Sequence, residues 1–123
     1  MARVLLIDDE PAVRLTVRQM LEAGGHDVVE SRIGHAALDD LATEAHDLVI
    51  TDLHMPGLDG WDVAAWISER RSGTPVIGIG GNADAQHDEL RRLFAMMLIK
   101  PFRRQQLLDA VIAVLAGAHS ATP

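Results

Sequence analysis

Short runs of aliphatic and β-branched residues alternate along the chain with longer stretches in which apolar positions recur every three or four residues. The short runs, at residues 3–7, 27–31, 47–51, 75–79 and 97–99, have the length and composition of strands covered on both faces. The stretches between them read as helices. At 11–23, Val13, Val17, Met20 and Leu21 share a face, Pro11 suits a first helical turn, and Gly24-Gly25 closes the segment. At 35–45 the stripe is Ala37, Leu38, Leu41 and Ala42; at 61–71 it is Val63, Trp66 and Ile67. A fourth helix is expected at 84–95, capped by Asn82 or Asp84, and a fifth at 105–116 carries Leu108, Val111, Ile112 and Leu115. Such alternation predicts an α/β fold of (βα)5 type, a doubly wound parallel sheet with right-handed crossovers.

Composition narrows the function classes. With 123 residues, 48% hydrophobic and 24% charged, the chain fits one water-soluble domain, without repeats, low-complexity blocks or linkers. Eleven basic residues against eighteen acidic ones give a formal net charge of -7, which argues against a nucleic-acid binder working by phosphate neutralisation. The absence of cysteine excludes disulfides, thiolate zinc sites and cysteine nucleophiles. Aromatic content of 3% leaves little for base stacking. The apolar run Val4-Leu5-Leu6-Ile7 goes straight into Asp8-Asp9-Glu10, unlike a signal peptide, and no run is long enough for membrane insertion. A cytoplasmic location is expected.

Ligand sites in open parallel sheets lie at the carboxyl ends of the strands. There the first strand delivers Asp8 and Asp9, the third Asp52, and the fifth Lys100. Three carboxylates and one ammonium leave two net negative charges, and carboxylates crowded together penalise one another's ionisation. A divalent hard cation cancels that excess. Magnesium is the natural candidate, with manganese as an alternative, because it takes oxygen ligands and needs only one or two carboxylates beside a phosphate oxygen. Each piece alone is commonplace: an Asp pair after a strand caps helices, and Met55-Pro56-Gly57-Leu58-Asp59-Gly60 is by itself a turn-rich loop. Their convergence on one sheet edge carries the weight.

The segments VLLIDDE at 4–10, DLVITDLHMPGLDG at 47–60, TPVIGIGG at 74–81 and IKPF at 99–102, in that order and spacing, make the chain resemble the receiver domain of bacterial two-component response regulators. The likeness spans nearly the whole sequence and is nearest to the single-domain, chemotaxis-regulator-like type. It implies a flavodoxin-like sheet of strand order 2-1-3-4-5. It also implies that Asp52 is the phosphoacceptor, attacking a phosphohistidine; that Asp9 ligates magnesium directly, supported by Asp8 and by the backbone carbonyl of His54; and that Lys100 holds a phosphoryl oxygen. The partners implied are a sensor histidine kinase or histidine phosphotransfer protein, a downstream protein, and a second copy in a phosphorylation-dependent dimer. Such a protein consumes one phosphoryl group per molecule and is no enzyme beyond slow self-dephosphorylation. A receiver unit over 1–117 with a loose tail at 118–123 leaves no output domain, so a stand-alone regulator, a phosphorelay intermediate or a piece of a longer protein is expected. The fourth helix, fifth strand and fifth helix would be the output face.

Two positions depart from the family pattern. Gly80 stands where a Ser or Thr usually ends the fourth strand, and Met97 where an aromatic usually sits on the fifth. The usual hydroxyl-to-aromatic switch is therefore missing. Backbone motion of the Gly80-Gly81 loop, with the Gly81 amide or the Asn82 side chain meeting the phosphoryl group, is the expected substitute; a phosphate sink or a phosphate-blind docking module is the alternative. His54, two residues after the acceptor, is placed to influence the hydrolytic water, or is a solvated loop histidine. The histidines at 26, 35, 46, 87 and 119 show no metal-ligand spacing. Two rival chemistries fit less well. Gly78-Ile79-Gly80-Gly81-Asn82-Ala83 matches G-x-G-x-x-A but lies on the fourth strand and lacks the following acid. A magnesium-dependent aspartyl phosphatase would need a second acid where His54 stands.

Overall fold

The computed structural model describes residues 2–31, 34–70, 73–81 and 91–120, and the side chains of all of these except 34–35 and 118–120. The elements run β1 (Arg3–Ile7), α1 (Pro11–Ala23), β2 (Asp27–Ser31), α2 (Gly34–Thr43), β3 (Leu48–Asp52), α3 (Gly60–Arg70), β4 (Val76–Gly80), β5 (Met96–Ile99) and α4 (Arg104–Ser120). All strand pairs are parallel and the order is β2-β1-β3-β4-β5, as the flavodoxin-like expectation requires.

Strand composition explains the order. β3 and β4 are buried at every position and β1 at all but its first, whereas β2 and β5 are largely half-exposed and lie at the edges. Alternate strand residues feed two cores. Val4, Leu6, Leu48, Ile50, Ile77 and Ile79 pack with Val17 and Leu21 of α1 and Leu107, Val111 and Val114 of α4. Leu5, Ile7, Val49, Leu53 and Val76 pack with Ala37 and Leu41 of α2 and Val63, Ala64 and Ile67 of α3. Each fully buried Leu or Ile contributes about 1.5–3 kcal/mol, which ties both helical layers to one sheet.

The element ends differ from the sequence expectation in ways the hydrogen bonds explain. β3 runs to Asp52 because the Leu53 amide continues the ladder to the Ile79 carbonyl (3.0 Å), while the Asp47 carboxylate is drawn aside to accept the Arg3 N–H (2.8 Å). β4 starts after Pro75, which has no N–H to give, and runs to Gly80. β5 begins at Met96, one residue earlier than expected. α2 spans Gly34–Thr43 instead of 35–45, the chain turning beyond it so that His46 enters the interior. α3 starts one residue early because Asp59 caps it reciprocally with Asp62 (3.0 and 3.2 Å). The closing helix passes Ala116 and Gly117 to reach Ser120, into residues read as tail; one glycine costs a helix only about 1 kcal/mol.

Most of the helix expected at 84–95 lies outside the described residues. Its final part is a turn: the Phe94 N–H bonds to the Arg91 carbonyl (3.0 Å), and the Ala95 N–H already pairs with Val76 of β4 (2.8 Å). The G-x-G-x-x-A match is also overturned in part, because Gly78 and Gly80 lie within a buried strand, where no phosphate-cradling turn can form around the first glycine.

Candidate functional site: an acidic pocket at the strand ends

Sheet register builds the pocket. Ile7 pairs with Thr51, so the next residues in step on the two central strands are Asp8 and Asp52. Gly80 pairs with Ile99, so Lys100 follows at the same edge, its N–H bonded to the Gly80 carbonyl (2.8 Å). Asp8, Asp9 and Asp52 each offer an oxygen within 4.8 Å of the others, and Lys100 Nζ lies 3.6 Å from Asp52 Oδ2. Asp8 is 2% exposed and Asp52 5% exposed, far below what isolated carboxylates tolerate without partners.

Local backbone groups aim the acids. Asp8 Oδ1 accepts the Glu10 N–H (2.9 Å) and Asp52 Oδ1 accepts the His54 N–H (3.2 Å), leaving the opposite oxygens for other ligands. Burial pushes the Asp8 carboxyl above the usual carboxylate range; the Glu10 N–H opposes the rise, and the Asp52 and Asp9 charges add to it against Lys100. The pocket is thus electrostatically short of positive charge. Its donors are all hard oxygens clustered within one ion's reach, so the residues present fit a divalent hard cation.

Gly60, at the start of α3, lets that helix abut the end of β3. A Cβ there would lie 2.8 Å from Leu53 Cα and nearer still to the Asp52 carbonyl oxygen. Sequence reasoning counted Gly60 only as part of a turn-rich loop. It also missed Arg14, whose Nη1 donates to the Asp8 carbonyl (2.8 Å), and Phe94, whose ring lies 3.0 Å from where a Gly78 Cβ would stand. A glycine in the middle of the apolar run Val76-Ile77-Gly78-Ile79 was the available signal for Phe94, since strand glycines mark close approach of another group. For Arg14 no sequence signal existed.

The other expected residues are distributed as follows. His54 is exposed, with its N–H engaged by Asp52. Gly80 ends β4, buried, and Gly81 is exposed just beyond it. Met97 is half-buried on β5, opposite Gly78, packed against the α2–α3 core. Asn82 lies outside the described residues.

This geometry agrees with comparison to known proteins. Residues 4–112 match the family model of the response regulator receiver domain. The chain belongs to that family. Among receiver relatives, it is 34% identical to the protein PilH of Pseudomonas aeruginosa over 95% of this chain and 100% of PilH. It is 39% identical to the response regulator FleR of the same organism, over 89% of this chain, and 38% identical to the sensor protein GacS of Pseudomonas syringae, also over 89%. The receiver spans only 24% of FleR and 13% of GacS. Among solved structures, the Thermotoga maritima response regulator TrrA, in complex with Mg2+ and BeF, superposes with a TM-score of 0.87 at 27% identity, covering 93% of this chain and 99% of that one. A receiver domain from Clostridium thermocellum gives 0.88 at 26% identity, covering 99% and 100%. Receiver domains are signalling modules that bind magnesium at an acidic pocket, and the Asp8, Asp9 and Asp52 cluster is this chain's pocket of that composition. Among the described residues no helix is long and apolar enough to cross a membrane.

Proposed function

We propose that this receiver takes a phosphoryl group from a phosphohistidine, on a sensor histidine kinase or a histidine phosphotransfer protein, onto Asp52. The observation that carries this is the juxtaposition of three clustered carboxylates with Lys100 Nζ at 3.6 Å from the acceptor. Asp9 and Asp52, with Asp8 in support and the His54 carbonyl as a further donor, would hold the magnesium ion, with manganese able to stand in for it. The ion supplies charge neutralisation when bound. Asp52, oriented by the His54 N–H, is the nucleophile; its other oxygen attacks phosphorus while the imidazole nitrogen leaves with the electron pair of the broken bond. Lys100, tethered through its own N–H to the Gly80 carbonyl, meets the incoming phosphoryl oxygens. After transfer the pocket carries about one net negative charge once metal and lysine are counted, because the phosphoryl group brings roughly a dianion while Asp52 loses its own charge.

Output then runs through protein contacts, with no hydroxyl at Gly80 and no aromatic at Met97 to relay the event. The Gly80-Gly81 backbone and Asn82 are this chain's candidates for meeting the phosphoryl group. Self-dephosphorylation is slow, the work is stoichiometric, and a phosphorylated dimer and a cytoplasmic setting belong to the same reading. The test is incubation with a small phosphodonor and magnesium, followed by intact mass. The parent gains one phosphoryl group, and Asp52→Asn gains none. Equal labelling of the two removes Asp52 from its role.

A further inference from the structure

We infer that Arg14 is a positioning residue for the metal pocket, acting through the Asp8 carbonyl; this rests on the reading of Asp8, Asp9 and Asp52 as a magnesium site. Ladder pairing on β1 continues as far as the Asp8 N–H, which donates to the Ser31 carbonyl (3.1 Å). From that point the loop carries three consecutive acids, Asp8, Asp9 and Glu10. Arg14, in the first turns of α1, reaches back with Nη1 to the Asp8 carbonyl (2.8 Å). Its Nε donates to Glu30 Oε1 of β2 (3.1 Å), and Arg18 Nη1 holds the other oxygen of Glu30. The planar guanidinium thus bridges two points through two separate nitrogens held in one rigid plane, whereas a lysine offers a single nitrogen.

The pair is sheltered. Arg14 is 16% and Glu30 26% exposed in the side chain, so water competes weakly for these bonds. By holding the Asp8 carbonyl Arg14 fixes the peptide plane between Asp8 and Asp9, and with it the direction of both side chains. Repulsion among Asp8, Asp9 and Asp52 favours splaying of this loop in the absence of metal. Arg14 resists that splaying, so the cation meets a gathered ligand set and spends less of its binding energy on collecting it. Groups that orient metal ligands in this way typically govern affinity by 10–100-fold.

The experiment is magnesium titration by calorimetry on the metal-free full chain, with urea unfolding on the same samples. Arg14→Ala should weaken the Kd for magnesium about tenfold, and Arg14→Lys less. Arg18→Ala, which strips the same Glu30 of its other partner but leaves the Asp8 carbonyl contact, should keep the parent's Kd. In phosphodonor labelling, Arg14→Ala should raise the magnesium concentration giving half-maximal rate and leave the rate at saturating magnesium near the parent's. Equal Kd values for Arg14→Ala and parent overturn the inference while leaving the site itself standing. Equal weakening by Arg18→Ala overturns it as well, since the loss would then follow the ion-pair cluster. A parent that binds no magnesium ends the underlying reading and this one together.

Discussion

The carboxyl edge of the sheet has two halves of unlike construction. At the ends of β1 and β3, acidic side chains are anchored atom by atom: Asp8 by the Glu10 N–H, Asp52 by the His54 N–H, and the Asp8 backbone by Arg14. At the ends of β4 and β5 the described contribution is a Gly80 carbonyl bonded to the Lys100 N–H, with the Lys100 ammonium reaching towards Asp52. The aromatic weight of that second half lies elsewhere. Phe94, 8% exposed, packs against Leu53 and the bare Gly78, and meets Trp61 of α3 edge-on at 5.1 Å and 85°. The chemistry of phosphoacceptance demands fixed charges in fixed places. On the proposed reading, a read-out demands only that some packed element feel the change.

The sharpest separation of the halves is Phe94→Ala. Removing a buried ring from contact with Leu53, Gly78 and Trp61 should destabilise the fold by about 3 kcal/mol, read as the shift in a urea unfolding curve. Below the unfolding transition the variant should still label fully at Asp52, because none of the pocket's hydrogen bonds passes through the ring. Loss of labelling in the folded variant would mean that the halves are coupled through Phe94 even before phosphorylation.

A smaller loss, but on the acceptor side, is expected from Gly60→Ala. Its Cβ would press on the Asp52 carbonyl and on Leu53 Cα, backbone atoms that cannot step aside, so a cost of about 1–3 kcal/mol should come with slower labelling. Here stability and phosphoacceptance should fall together, the reverse of Phe94→Ala. Labelling at the parent's rate would show that the acceptor strand tolerates displacement, and the contrast between the two halves would fail.

These two residues also mark the limit of what the sequence discloses. Sheet order, two helical layers and the convergence of Asp8, Asp9, Asp52 and Lys100 were legible, because strand periodicity and the strand-end rule are local properties and the family motifs are contiguous. Gly60 against β3 and Phe94 against Gly78 were not. They depend on how closely one backbone or ring approaches another element; the glycine at 78 signals that something comes near but does not say which residue. Phe94 was even expected at the end of a helix, whereas pairing of Ala95 with Val76 had already committed the chain to the sheet. Arg14 is a third case: its target is a carbonyl oxygen, and every residue has one.

The smallest expected effect runs in the opposite direction and concerns the cost of the acidic half. Burial has raised the folded-state pKa of Asp8 above the unfolded value of 3.8. The ionised carboxylate therefore subtracts stability at neutral pH, and that loss is relieved as pH falls through the raised value towards 3.8. At the amino end of the same sheet the sign reverses. His46 is buried, and burial followed by the Arg3 charge lowers its pKa below 6.5 against the pull of Glu44 and Asp40; burial lowers His26 likewise. Their neutral forms favour folding above 6.5, and that support is lost as pH drops below it. Metal-free Asp8→Asn should thus be more stable than the parent at pH 7, by about 0.5–2 kcal/mol, since asparagine still accepts the Glu10 N–H without carrying charge. Its decline below pH 6.5 should persist, because both histidines remain. Magnesium should raise the unfolding midpoint of the parent, as any ligand of the folded state does, and leave that of Asp8→Asn nearly unmoved. Were Asp8→Asn less stable than the parent without metal, the crowded carboxylates would be no burden to the fold, and the acidic half would owe its geometry to hydrogen bonds alone.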